Sequence, residues 1–200
     1  MDLRSPAIVC AVRPNGETAA VVRFLTPATG LVAGYVAGAR GRNLRPVLIP
    51  GNLVEVELRS RSEAQLPFAR VELVESRGPW LNEPLPAAAF GWITALTAAT
   101  LPERHPYAAL YDALTGLLDA VCHAPSARGW VPGLIAYETL LLREMGYGGS
   151  APPPPQPDWE GTLTAFDALG PLLAAYALAE RHSDVMGARA VLRERLARIG

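Results

Sequence analysis

Hydrophobic and polar positions alternate with a short period through roughly the first 75 residues, and then the period lengthens. "AIVCAV" (7–12), "AAVVRFL" (19–25), "LVAGYVAGA" (31–39), "NLVEVEL" (52–58) and "FARVELV" (68–74) are short, alternating or β-branched, and predict five strands. Alternation is clearest in "LVEVEL": Leu53, Glu55 and Glu57 share one face, and Val54, Val56 and Leu58 share the other. Turn chemistry separates the runs, with Pro14-Asn15-Gly16 as a hairpin-type turn, Gly30 ending the second connection and Pro50-Gly51-Asn52 as a breaker. Left open, five strands would expose two edges, so this pattern predicts a small closed or nearly closed barrel rather than a sandwich.

Past "SRGPWLNEPLP" (76–86) the prolines mark a linker and helical periodicity takes over. "AAAFGWITALTAAT" (87–100) predicts an apolar helix. In "PYAALYDALTGLLDAVCHA" (106–124), Leu110, Leu114, Leu117, Leu118 and Val121 form one stripe. "VPGLIAYETLLLREMG" (131–146) has Pro132 near its start and Gly146 in the C-cap position. Two more helices are predicted over 166–182, with Pro171 near a first turn, and over 184–199; between them and the third helix, "APPPPQP" (151–157) reads as an extended proline-rich loop. The expected architecture is α+β: a five-stranded β-barrel over residues 1–78 followed by an α-helical bundle over 79–200. No internal repeat is visible.

Composition narrows the class. Half of the 200 residues are hydrophobic, enough for a core, yet no run approaches the ~18 apolar residues of a membrane span. The start, "MDLRSPAIVCAVRPNGE", lacks the shape of a leader, which predicts a cytoplasmic protein without membrane association. Cys10 and Cys122 are far apart and form no ligand cluster. The formal charge of −1 conceals an asymmetry: residues 1–80 carry ten Arg against seven acids, and residues 81–200 eight against twelve. A basic front half points to a polyanion partner there.

Enzymatic signatures are missing. There is no G-x-S-x-G, no H-E-x-x-H and, with no lysine in the chain, no P-loop lysine. His105, His123 and His182 are scattered, and Glu55 and Glu57 read as a solvated barrel face. The expectation is a non-enzymatic protein with no catalytic residue, no metal site and no cofactor. Trp80, Trp92, Trp130 and Trp159 all lie at or beyond the linker, as packing residues or a protein-docking surface.

The remaining signal is "GYVAGARGRNLRP" (34–46), which places Arg40, Arg42 and Arg45 on one glycine-softened loop. These are either solvated charges or phosphate contacts; the planar guanidinium fork suits the latter. Tyr35 supplies either a stacking surface or a packing contact. Arg23 on the second strand, and Arg59 and Arg61 after the fourth, extend a basic track or simply decorate the exterior.

The order of features resembles the RecO family of bacterial recombination mediators. The shared pattern is Glu17 before the second strand, Leu25-Thr26 with Gly30, Gly38-Ala39-Arg40 after the third strand, and Pro50 before the fourth. "LPERHPYAALYDALTGLLDAV" and "AYETLLLREMGY" are similar to its helical domain. The resemblance covers most of residues 6–148. It implies an N-terminal OB fold that binds single- and double-stranded DNA, annealing of complementary strands, and association with RecR. It also implies action with single-strand DNA-binding protein to load the RecA filament at gaps, and hence a nucleoid-associated address. Some members carry a zinc-binding cysteine cluster soon after the Gly-Tyr helix. Here Gly146-Tyr147 leads into "GGSAPPPPQPDW" without cysteine, so zinc is not expected. The rival reading is a protein-interaction scaffold whose barrel no longer binds DNA.

Overall fold

The structure is a computed structural model that describes residues 2–62, 65–147, 158–179 and 185–199. The proline-rich stretch 151–157 and His182 therefore lie outside the described residues. The chain divides into two compact units, one of Met1–Asn82 with Leu101–Tyr111, the other of Glu83–Thr100 with Asp112–Gly200.

The first unit holds a closed five-stranded barrel of strands β1 (Asp2–Asn15), β2 (Ala19–Thr26), β3 (Gly30–Val36), β4 (Leu53–Arg59) and β5 (Phe68–Glu75). The ladder order is β1-β2-β3-β5-β4, with β3 and β5 parallel at Tyr35 and Phe68 and every other pair antiparallel. This is the five-stranded closed topology of an OB fold, as expected. The expected alternation holds in β4, where Val54, Val56 and Leu58 are fully buried and Glu55 and Glu57 are half-buried outside. Val9, Val22, Phe24, Val32 and Val71 complete the interior. Gly34 lies against this interior, and a Cβ there would come within 2.7 Å of Leu58 Cδ2 and 2.8 Å of Ala69 Cβ, so the position takes glycine.

Two strand ends differ from the sequence expectation. β1 starts at Asp2, five residues earlier, because its first half pairs with β4 while its second half pairs with β2. β3 stops at Val36 because Gly38 takes a positive φ of 65°, which turns the chain. Following the ladder around the outside, Arg13 leads to Val21, Tyr35, Phe68, Arg59 and then Asp2, so one circuit returns to β1 far down the same strand. That offset is the stagger that closing a small barrel requires.

The turn between β2 and β3 explains the Leu-Thr-x-x-x-Gly pattern. Buried Thr26 donates its hydroxyl to the Gly30 carbonyl at 3.0 Å and accepts the Thr29 amide at 3.2 Å. Gly30 has φ 76°, and its missing Cβ is where the His105 carbonyl passes. Residues 101–111 run alongside: the Arg104 amide donates to the Leu31 carbonyl at 2.8 Å.

The second unit is helical: α1 (Pro84–Thr100), the body of α2 (Ala108–His123, whose first turn belongs to the first unit), α3 (Val131–Glu144), α4 (Trp159–Leu172) and α5 (Val185–Leu196). The α2 stripe of Leu110, Leu114, Leu117, Leu118 and Val121 is buried throughout. Trp92 and Trp130 are buried, so those two act in packing. Glu138 of α3, entirely buried, accepts Arg189 Nη2 at 2.8 Å and Nε at 3.2 Å from α5, and Trp92 Nε1 at 2.7 Å from α1. Burial pushes its carboxyl up, and Arg189 and Trp92 press it back toward ionisation. Gly146 closes α3 with φ 88°, and the Tyr147 amide reaches back to the Leu142 carbonyl at 2.9 Å.

Pro171 is placed differently from expectation. Asp158 caps α4 through the Gly161 amide at 2.7 Å, so the helix begins at Trp159 and Pro171 falls inside its last turns. The missing Pro171 amide is followed at once by a wide π turn, Leu173–Ala177. Among the described residues no helix is long and apolar enough to cross a membrane.

Candidate nucleic-acid interface

The segment after β3 is a chain of hydrogen-bonded turns. The Gly41 amide donates to the Gly38 carbonyl at 2.9 Å, Arg45 to Gly41 at 3.0 Å, and Leu48 to Leu44 at 3.0 Å. Ala39 and Leu48 are buried against the barrel core, and Leu44 and Val47 pack partly against it. Apolar side chains on one side fix the segment, and Arg40, Arg42 and Arg45 stand exposed on the other. The Gly-Ala-Arg pattern thus has a physical content: Gly38 turns, Ala39 anchors, Arg40 projects.

Asn52 holds the far end of this segment. Fully buried, it donates its side-chain amide to the carbonyls of Pro46 and Val47, both at 3.0 Å, and its side-chain oxygen accepts the Arg77 amide at 2.8 Å. Arg77, also buried, donates Nη1 to the Gly51 carbonyl at 2.8 Å. The Pro-Gly-Asn turn is visible in the sequence as a breaker, but nothing local discloses that its asparagine brackets the arginine segment.

The structure sorts the candidate arginines by partner. Arg23, largely buried on β2, pairs with Glu103 at 3.3 Å. Arg59 pairs with Glu57 of its own strand. Arg40 donates to the Glu17 carbonyl at 3.2 Å, which neutralises no charge. Arg42, Arg45 and Arg61 contact no carboxylate among the described residues, and neither does Arg13 at the end of β1, which the sequence reading did not single out.

Two surface clefts gather these groups. Arg40 and Arg45 line one of about 320 Å³ with Val12, Ala39 and Leu48. Arg59 and Arg61 line another of about 780 Å³ with Asp2, Ser60, Gln65, Leu66 and Phe68. Arg42 lines neither. Tyr35 is half-buried on the exterior, its amide held by the Pro67 carbonyl at 2.8 Å, and its ring meets Phe68 edge-on with centroids 5.3 Å apart. Guanidiniums in adjacent turns, with no carboxylate partner among the described residues, have the donor chemistry to contact phosphates. Among the described residues no three His, Cys, Asp or Glu side chains converge as a metal site. His123 Nδ1 lies 2.9 Å from the Asp119 carbonyl, and the His105 ring tilts against Tyr107.

Two family models match most of the chain. The family model described as recombination protein O N-terminal matches residues 1–77, and the recombination protein O C-terminal model matches residues 84–150. The chain is similar to the DNA repair protein RecO of Rhodospirillum centenum, 40% identical over 149 residues that cover 74% of this chain and 58% of that protein. The RecO of Caulobacter vibrioides is 37% identical over 149 residues, 74% of this chain and 60% of that protein. The RecO of Cereibacter sphaeroides is 33% identical over 148 residues with the same two coverages. The chain thus spans about three fifths of the length of the curated relatives it matches.

Proposed function

The chain belongs to the recombination protein O family, and on that premise we propose that it serves DNA repair by binding DNA through its OB barrel. Residues 1–78 form the DNA-binding domain, and residues 79–200 form a helical domain that engages protein partners. The observation that carries this reading is the turn segment after β3, where Arg40, Arg42 and Arg45 project from an anchored backbone with no carboxylate partner among the described residues. They neutralise phosphates of single- and double-stranded DNA, and Arg61 extends the track. Arg59 joins only by exchanging Glu57 for phosphate, and Arg23 is held by Glu103 as a structural pair.

On this reading the protein is a non-enzymatic mediator. Holding two strands through their backbones, it promotes annealing, and with RecR and single-strand DNA-binding protein it helps load the RecA recombinase on gapped DNA in the cytoplasm, at the nucleoid. These roles are those of the family, carried here by an OB barrel whose exposed arginine cluster has no carboxylate partner among the described residues.

One observation favours the scaffold alternative: several barrel arginines are already paired with acids, Arg4 with Glu55, Arg23 with Glu103 and Arg59 with Glu57. Titration of the full chain with labelled single-stranded DNA at increasing salt separates the two. The DNA-binding reading requires affinity that falls linearly in log–log form with salt; no binding at low salt leaves the scaffold.

A further inference from the structure

Phe68 is the most exposed large hydrophobic side chain among the described residues, at 66% of its full accessibility. It is the first residue of β5, and it pairs on one side with Tyr35 of β3 and on the other with Arg59 of β4. Tyr35 meets it edge-on, with ring planes at 78°. With Phe68 two thirds exposed and Tyr35 packed against it near-perpendicular, the ring is held on one side while much of the residue stays open to solvent. Phe68 also forms part of the 780 Å³ cleft, beside Leu66, which is 41% exposed, and the guanidiniums of Arg59 and Arg61. Among the described residues, Asp2 is the one acid that lines the cleft and Arg61 has no carboxylate partner.

An exposed aromatic ring next to cations matches the two chemical halves of an unpaired nucleotide: a flat apolar base and a phosphate. A duplex offers the phosphate but keeps its bases stacked inside, so only a single strand satisfies both halves at once. We infer that Phe68 is a base-stacking platform for single-stranded DNA, braced edge-on by Tyr35, with Arg61 taking the adjoining phosphate. The inference rests on the DNA-binding reading above and deepens it. It assigns the arginine segment after β3 to backbone binding shared by both DNA forms, and the cleft at Phe68 to discrimination in favour of the single strand. Of the two roles the sequence leaves open for Tyr35, this takes packing: Tyr35 buttresses and Phe68 stacks.

The test measures the affinity of the full chain for a fluorescein-labelled single-stranded oligonucleotide of mixed sequence, and for the same sequence closed into a hairpin duplex. Alanine substitution of a stacking aromatic costs about 1–3 kcal/mol per base, so Phe68→Ala is expected to weaken single-strand binding by about fivefold to 150-fold. Duplex affinity stays within about twofold. Phe68→Leu keeps apolar bulk without a π face and is expected to lose as much as Phe68→Ala. Phe68→Trp is expected to restore binding and to show tryptophan quenching on addition of the single strand. Equal losses on both DNA forms, unchanged single-strand binding in Phe68→Ala, or full activity in Phe68→Leu would each overturn the stacking site. A wild-type chain that binds neither DNA form sinks the DNA-binding reading itself, whereas wild-type binding indifferent to position 68 sinks only this inference.

Discussion

The guanidinium of Arg40 donates to the backbone carbonyl of Glu17 at 3.2 Å, and the Arg40 amide donates to the neighbouring Thr18 carbonyl at 3.0 Å. The turn between β1 and β2 therefore positions Arg40 from both its backbone and its side chain through carbonyls, which carry no opposing charge.

Replacing Arg40, Arg42 and Arg45 together by Ala should reduce DNA affinity and flatten its salt dependence. Each lost phosphate contact removes about 0.7 from the log–log slope for a single strand, so the triple variant is expected to lose about 2. Exposed side chains away from caps and cores change stability by about 0.5 kcal/mol or less each, so thermal unfolding should shift little. A variant with the wild-type slope would show that other groups hold the phosphates.

Asn52→Ala acts on the same segment from below. It strands the carbonyls of Pro46 and Val47 and the buried amide of Arg77. Unsatisfied buried groups cost about 1–3 kcal/mol each, partly relieved by entering water, so a loss of about 2–4 kcal/mol is expected in urea unfolding. Unlike the arginine variants, Asn52→Ala should lower stability and DNA affinity together.

In the helical unit the keystone is ionic. Arg189→Met leaves Glu138 buried with only the Trp92 indole to receive. Breaking a buried pair from one side costs about 3–5 kcal/mol, and replacing both partners by apolar residues recovers much of that. Arg189→Met is thus expected to be far less stable than the double variant Glu138→Leu/Arg189→Met, as read by denaturant midpoints.

The two thiols should separate by reactivity. Burial pushes the Cys10 thiol up to about 12, whereas Cys122 is half-buried on α2. At pH 8 a disulfide exchange reagent should titrate one thiol in the native protein, Cys122, and both in denaturant. Because the fold favours the neutral Cys10 thiol, that stabilisation is full below pH about 9 and is progressively lost as pH rises toward 12. Rapid native titration of both thiols would contradict this burial.

The barrel interior was legible because it rests on a two-residue period: the valines of β4 and the Val22–Phe24 pair announce a face regardless of partners. The early residues Asp2–Pro6 carried no such signal, since "DLRSP" is strand only by virtue of the β4 ladder opposite it. Arg40, Arg42 and Arg45 were visible as a cluster, but their lack of carboxylates was not. Arg23 looks equivalent in sequence until Glu103 is brought to it across eighty positions. Phe68 escaped notice for the same reason, because its exposure and its contact with Tyr35 arise from a parallel pairing that no local pattern encodes. Pro171 misled because proline favours a first turn, and the Asp158 cap had already started the helix.

β1 serves two ladders, and Ile8 is where they meet, opposite Leu25 on one side and Leu53 on the other. The β1–β2–β3 meander can assemble from neighbours, but the circle closes only when β5 reaches Tyr35 of β3 from Phe68 and β4 reaches Ile8 of β1 from Leu53. High sequence separation makes such contacts slow to form. Until β4 pairs with it, the first half of β1 has no ladder partner. It is in that interval, rather than in the finished barrel, that unpaired edges are available to other chains.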